Sequence, residues 1–308
     1  MTSRANRLST PLLLALAAFA LSAGMASAAD VKPAAAPAQA AMPPAPPPPP
    51  AAAAVPAAEP APKKAAPAKR AAKPKAAPMP HWSYHGADGP YNWGKLHASY
   101  GLCDSGKQQS PIDIRGSIGV DLPELRFNYA PSRFSVANNG HTLEVAYPAG
   151  GSLTFATKTY QLVQFHFHRP AEEKIEGKSF EMVAHLVHRD AQGALAVVAV
   201  LMTVGAENPF TQAIWNHIPL VAGQAMASAA DVSIDLNRFM PKERQLYNYM
   251  GSLTTPPCSE GVQWFVFKEP VEVSPEQLRT FARLFPNNAR PIQPTHDRLI
   301  KESRGRVR

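Results

Sequence analysis

Two histidines stand two residues apart in QLVQFHFHRP (161–170), inside a run that otherwise reads as a buried strand. Side chains alternate along a strand, so His166 and His168 share one face while Phe165 and Phe167 share the other. Two imidazoles about 7 Å apart at Cα on one sheet face can both reach a single ion. Zinc accepts imidazole nitrogen at about 2.0–2.1 Å and takes four ligands in a tetrahedron, so a third ligand has to come from elsewhere in the chain. The segment FEMVAHLVHRD (180–190) offers His185 and His188. On a strand these two face opposite sides, so at most one joins the site, and alternation alone does not choose between them. Neither a CxxC pair nor an HExxH helix competes for a metal.

Such ligands need stiff elements behind them. Short β-like runs recur at RFSVANNGHTLEVAYP (133–148), GGSLTFATKTYQLVQFHFH (150–168), FEMVAHLVH (180–188), ALAVVAVLMTVG (194–205) and VQWFVFKEPVEVS (262–274). Gly, Asn and Pro punctuate them. Helical signals are few and brief. NPFTQAIWNHI (208–218) is one. SPEQLRTFARLF (274–285) is better marked, with Ser274 as N-cap, Pro275 at the first helical position, and Glu276 and Gln277 in the first turn. No internal repeat is visible. The pattern predicts one sheet-dominated unit over 81–308 with peripheral helices.

Five short motifs carry a family resemblance. QSPIDI (109–114), NNGH (138–141), QFHFH (164–168), HLVH (185–188) and GSLTTPP (251–257) resemble the α-class carbonic anhydrases, bacterial branch. The last motif lies within YNYMGSLTTPPCSEGVQWFVFKEPVEVS, which strengthens the likeness. The similarity runs from about His81 to about Ile300, essentially the whole domain. It implies an α+β roll with one large twisted, mostly antiparallel central sheet and short peripheral helices. It implies Zn2+ held by His166, His168 and His185, which leaves His188 a structural residue on the opposite face. The implied reaction is the reversible hydration of CO2 to bicarbonate and a proton, by attack of a zinc-bound hydroxide. In carbonic anhydrases themselves zinc lowers the pKa of its bound water to about 7.

The resemblance also implies roles around the ion. Thr254 would accept a hydrogen bond from the hydroxide and donate its own to Glu172, and Thr255 would line the same mouth. Val187, Val197, Leu253 and Trp264 match the apolar wall on which CO2 would rest. His141 matches the proton shuttle, a task suited to an imidazole whose pKa is near 6.5. Tyr84 and Asn139 match the groups that order the intervening water. Gln164 would orient His166, and the backbone carbonyl of Asn288 would orient His168. One position departs from the family pattern. Members usually carry Glu two residues before the third ligand, where this chain has Val183 and sets Glu181 instead. Partners of this kind are commonly worth 10–100-fold in metal affinity or activity. The same nucleophile would attack activated esters as a side reaction.

Outside this domain the composition changes. Arg4 and Arg7, the apolar stretch PLLLALAAFALSAG and Ala26-Ser27-Ala28 read as an export signal over 1–28, directing the chain to the periplasm or the outside of a bacterial cell. Residues 29–80 are almost all Ala, Pro and Lys, with 16 prolines over 31–80, and predict a disordered tether. The tether holds seven Lys/Arg, whereas 81–308 is nearly neutral with 22 basic and 21 acidic residues. All but one unit of the overall charge of +8 therefore belongs to the tether and the signal. A nucleic-acid role would need a basic patch on the fold itself and is excluded on this ground. The lysines suit anionic cell-envelope polymers. Cys103 and Cys258 are the only two cysteines, and in an exported chain an even count predicts one disulfide between them. A homodimer is left open by the sequence.

Overall fold

The histidine-bearing segment folds as the strand Lys158–His168, with Tyr160, Phe165 and Phe167 buried on one side of it. The computed structural model describes residues 80–304. The expected signal over 1–28 and all but the last residue of the expected tether over 29–80 lie outside the described residues. Six strands carry the site or its walls: β1 (Leu143–Ala146), β2 (Lys158–His168), β3 (Met182–Arg189), β4 (Leu195–Val204), β5 (Leu246–Ser252) and β6 (Glu260–Phe267). They are neighbours in the order β1-β2-β3-β4-β6-β5 within a 13-stranded sheet. All of these pairings are antiparallel except β4 with β6. The fold is the strand-dominated roll that the resemblance implied.

The sheet buries both faces. β4 shows why its sequence reads as an unbroken apolar run rather than an alternation. Ala196, Val198, Val200 and Met202 point into the larger core, while Val197, Ala199 and Leu201 point into a smaller cluster on the other face. A strand covered on both sides has no polar face to show. Two helices close the larger core. α1 (Pro209–Trp215) brings Phe210 and Trp215 to it, and α2 (Pro275–Leu284) brings Phe281. α2 begins where its sequence predicts. The Ser274 side chain accepts from the Gln277 N–H, and the Gln277 side chain accepts from the Ser274 N–H, a reciprocal capping box.

One irregularity decides which residues face the site. Leu162 pairs with His188 and Gln164 pairs with Val187, so Val163 is an extra residue in β2 opposite a regular β3. Upstream of this bulge, Tyr160 and Leu162 pack on the larger core. Downstream the parity changes: Phe165 and Phe167 take the core side, and Gln164, His166 and His168 take the other. A one-residue shift moves every following side chain to the opposite face.

A disulfide joins Cys103 to Cys258 across 155 residues. Cys103 sits in a short helical turn, Leu102–Ser105. Cys258 closes the loop that follows β5, where its N–H donates to the Thr255 carbonyl at 2.8 Å. A closure of this length stabilises by roughly 4–5 kcal/mol in the loop-entropy treatment. Reduction is therefore expected to lower the Tm by on the order of 10 °C. Calorimetry with and without a thiol reductant checks this, and an unchanged Tm after complete reduction refutes it.

Candidate metal centre

Pairing of β2 with β3 sets His166 directly opposite His185, with His168 two residues further along β2. One ring nitrogen from each of these three histidines lies within 4.8 Å of the others, and among the described residues no other group of this kind occurs. A zinc–imidazole bond of about 2.0–2.1 Å from either side spans most of that gap. The outer nitrogen of each ring is already engaged. His166 Nδ1 donates to Gln164 Oε1 at 2.9 Å, His168 Nδ1 to the Asn288 carbonyl at 2.7 Å, and His185 Nε2 to Glu173 Oε1 at 2.9 Å. These bonds fix the tautomers and leave three lone pairs turned inward: Nε2 of His166, Nε2 of His168 and Nδ1 of His185. His168 Nε2 is buried and has no hydrogen-bond partner. A buried acceptor left alone is costly, and a cation shared with two further imidazoles satisfies it.

Protonation favours the same role. Burial, then His185, pulls His166 down to about 3. Burial, His185 and His166 hold His168 well below its ordinary value despite the Asn288 carbonyl. Both rings are therefore neutral, the form that binds metal. Burial also pulls on His185, but the charge and hydrogen bond of Glu173, with Glu172 beside it, outweigh that and raise it.

The carboxylates require one correction. Glu181 is exposed and makes no side-chain hydrogen bond, so it does not serve His185. It lies just before the first residue of β3, on a stretch whose alternation turns its side chain to solvent. The carboxylate on His185 comes instead from Glu173, in the segment that follows β2. Val183, where the family pattern has Glu, is fully buried in the apolar cluster on the site face. Only one signal in the sequence pointed to Glu173: an apolar residue at 183 obliges any partner of His185 to come from another segment.

Glu172 is buried beside the histidines. Its Oε1 accepts from the Arg290 N–H at 2.7 Å, and its carboxylate lies 3.6 Å from His168 Nδ1 and 3.8 Å from His185 Nδ1. Burial raises its pKa to about 7, with Glu173 adding to the rise while His185, the Arg290 N–H and the Thr254 hydroxyl oppose it. Thr254 is buried next to it, and Thr255 is half-buried on the same loop. Val197 and Trp264 belong to the apolar cluster on this face, Val187 and Leu253 pack against it, and the edge of Trp264 meets His185 at 4.9 Å between ring centres. His188 points to the other side of the sheet, where it bonds the Tyr129 hydroxyl at 2.7 Å and the Leu186 carbonyl at 2.9 Å.

His141 sits half-buried at the loop between two strands, its ring stacked on Trp82 at 3.8 Å and 9°. Trp82 carries no signal in the sequence beyond being aromatic. Burial, then His81, lowers the pKa of His141. Tyr84 lies 6.5 Å from the His141 ring, and burial together with Glu172 keeps its hydroxyl protonated. Asn139 is exposed, and its Oδ1 is occupied by the His141 and Thr142 N–H groups, so that oxygen shapes the turn. Asn288 ties the parts together: its carbonyl holds His168, its Nδ2 donates to the His141 and Phe167 carbonyls, and its Oδ1 accepts from the Arg169 N–H.

Comparison with known proteins places the whole domain in one family. The family profile described as eukaryotic-type carbonic anhydrase matches residues 88–304. A carbonic anhydrase of Nostoc sp. (strain PCC 7120) is 41% identical over 227 residues, covering 72% of this chain and 86% of that protein. One from Neisseria gonorrhoeae is 42% identical over 224 residues, covering 72% and 88%. The solved α-carbonic anhydrase of Thermovibrio ammonificans, in complex with sulfanilamide, matches with a TM-score of 0.69 and 42% identity, over 73% of this chain and 99% of that one.

The two candidate third ligands separate cleanly by substitution. His185→Ala and His166→Ala are expected to abolish metal retention after dialysis, because two imidazoles do not hold a tetrahedral ion tightly. His188→Ala is expected to keep the metal and to lose about 1–3 kcal/mol of stability through the stranded Tyr129 hydroxyl. Metal content by atomic spectroscopy checks both, and an empty site in His188→Ala with a filled one in His185→Ala overturns the assignment.

Proposed function

The chain belongs to the eukaryotic-type carbonic anhydrase family and is a carbonic anhydrase, an enzyme of carbon dioxide hydration, and from that premise we propose that His166, His168 and His185 hold the zinc ion on which hydration depends. One observation carries the reading: three inward lone pairs converge while every outer nitrogen is already bonded, and the buried His168 Nε2 has no other partner. Zinc bound there would supply a water acidic enough to act as a nucleophile at neutral pH.

The chain's own residues do the rest. Glu172 accepts the Arg290 N–H through one oxygen, and its other oxygen is free for the Thr254 hydroxyl. A threonine that donates to this carboxylate has its oxygen lone pairs left to accept from the nucleophile, which aims the nucleophile's own lone pair at carbon. Val187, Val197, Leu253 and Trp264 offer an apolar wall to a linear, uncharged substrate that has little hydration to lose. The product side of the reaction is bicarbonate and one proton, and the proton must leave. His141 takes it: its ring is accessible, titrates near neutrality in the ordinary imidazole, and is shifted down by burial so that it releases readily. Stacking on Trp82 limits its orientations.

Export belongs to the same proposal. The signal-like segment over 1–28 and the Cys103–Cys258 bond, which persists in oxidising compartments, support a periplasmic or secreted enzyme. The tether's seven Lys/Arg support contact with anionic envelope polymers. A truncate beginning at His81 is expected to keep CO2 hydration and to lose sedimentation with envelope fractions; retained sedimentation removes the role of the tether.

Zinc content and stopped-flow CO2 hydration on the purified protein test the reading as a whole. Within it, His141→Ala is expected to lower kcat in weak buffer by about tenfold or more while leaving kcat/KM nearly unchanged. Added imidazole should restore kcat by carrying the proton. Thr254→Ala should instead lower kcat/KM, since it acts on attack. A wild-type kcat for His141→Ala in weak buffer shows that another path carries the proton.

A further inference from the structure

Glu173 is 0% exposed, yet one bond accounts for it: Oε1 accepts from His185 Nε2 at 2.9 Å. Its second oxygen is buried with no hydrogen-bond partner. Among the described residues no Lys or Arg side chain forms an ion pair with it or with Glu172; the ion-pair partners of both are histidines. A buried carboxylate oxygen that meets neither a hydrogen-bond donor nor a counter-charge is costly, and a cation bound on the neighbouring imidazoles relieves it.

The backbone under Glu173 is held on both sides. Ala171 N–H donates to the Phe180 carbonyl at 3.1 Å, and Lys174 N–H to the Ile112 carbonyl at 3.3 Å. Lys174 and Ile175 also pair in parallel with Asp113 and Ile114. The carboxylate is thus presented to His185 from a fixed position, in a segment other than the strand that carries His185. Val183, two residues before His185 on β3, is apolar, fully buried and opposite His168. It has no group to offer His185.

We propose that Glu173 is the positioning residue of the metal centre: it holds His185 in the tautomer that turns Nδ1 to the ion, in place of a glutamate at position 183. The inference rests on the zinc reading given above. A carboxylate on a ligating imidazole raises the basicity of the ring and fixes its plane, which slows release of the metal.

The test measures zinc affinity by chelator competition, the rate of zinc release, and the Tm of the zinc-free and zinc-loaded forms. It compares wild type with Glu173→Gln, Glu173→Ala and the double variant Glu173→Ala/Val183→Glu. Glu173→Gln keeps the shape and removes the charge, so it remains informative if Glu173→Ala fails to fold. Both single variants are expected to bind zinc about 10–100-fold more weakly than wild type. The zinc-free Tm of Glu173→Gln should fall less than the zinc-loaded Tm, because the amide oxygen can still accept from His185 Nε2 when no ion is bound. The double variant should regain part of the affinity by supplying a carboxylate from β3. Wild-type zinc affinity in Glu173→Gln, or an equal drop in Tm with and without zinc, overturns the inference. A wild-type protein that holds no zinc would instead overturn the metal reading itself.

Discussion

The register of β2 on β3 is the constraint on which the rest of the site depends. His166 stands opposite His185 because Val163 is looped out of the ladder between Leu162 and Gln164. The same register runs on into β4, where Ala199 lies opposite His185 and Val197 opposite Val187. Small and apolar residues therefore surround the ligands without a separate device to place them. Were Val163 to take a regular place in the ladder instead, Phe165 would stand opposite His185 and the two histidines of β2 would enter the aromatic core. Bulges of this type are local in the chain and global in effect, since side-chain parity is inherited by every later residue of the strand.

Around that register the site is an electrostatic problem solved in a nearly dry space. Three rings, two carboxylates and one threonine hydroxyl share a volume walled by Val197, Trp264 and their neighbours. The outer nitrogen of each ring finds a fixed partner, whereas His168 Nε2, Glu172 Oε2 and Glu173 Oε2 are buried without one. Such an arrangement is poor as a core and good as a metal site. The surrounding apolar surface strengthens each interaction by keeping solvent out, and it suits a substrate that carries no charge.

Segments distant in sequence fasten the walls. Arg290 is buried, and its guanidinium donates to Gln109 Oε1, the Ser110 carbonyl and the Cys103 carbonyl, each at 2.8 Å, while its N–H holds Glu172 at 2.7 Å. Gln109 in turn donates to the Cys258 carbonyl at 3.0 Å. The disulfide, the loop bearing Thr254 and the carboxylate Glu172 are therefore parts of one network. Asn288, two residues away from Arg290, does the same for His168 and the His141 loop. One short irregular stretch, 288–290, thus sets the positions of His168, Glu172 and the His141 loop.

Local chemistry by itself determined a good deal of this protein. The alternation in LVQFHFH made a strand with both histidines on one face, the apolar run ALAVVAVLMTVG made the strand β4, and Ser274-Pro275 opened a helix. The five motifs supplied the family, and with it the expected ligands. Other features were decided only by the tertiary structure. Alternation along β3 allowed His185 or His188, and strand pairing sends His188 to Tyr129 and His185 to the site. Position in the chain suggested Glu181 as a partner, but that residue is exposed, and a glutamate from the segment after β2 reaches His185 instead. Trp82 is far from the histidines in sequence and stacks on His141 only once the N-terminal segment folds over the sheet. The physical reason is the same in each case. Strand and cap preferences depend on neighbours a few residues away, so they are written in the sequence. The state of a buried charge or ring depends on which distant groups come within about 4 Å of it, and only the packed chain sets that.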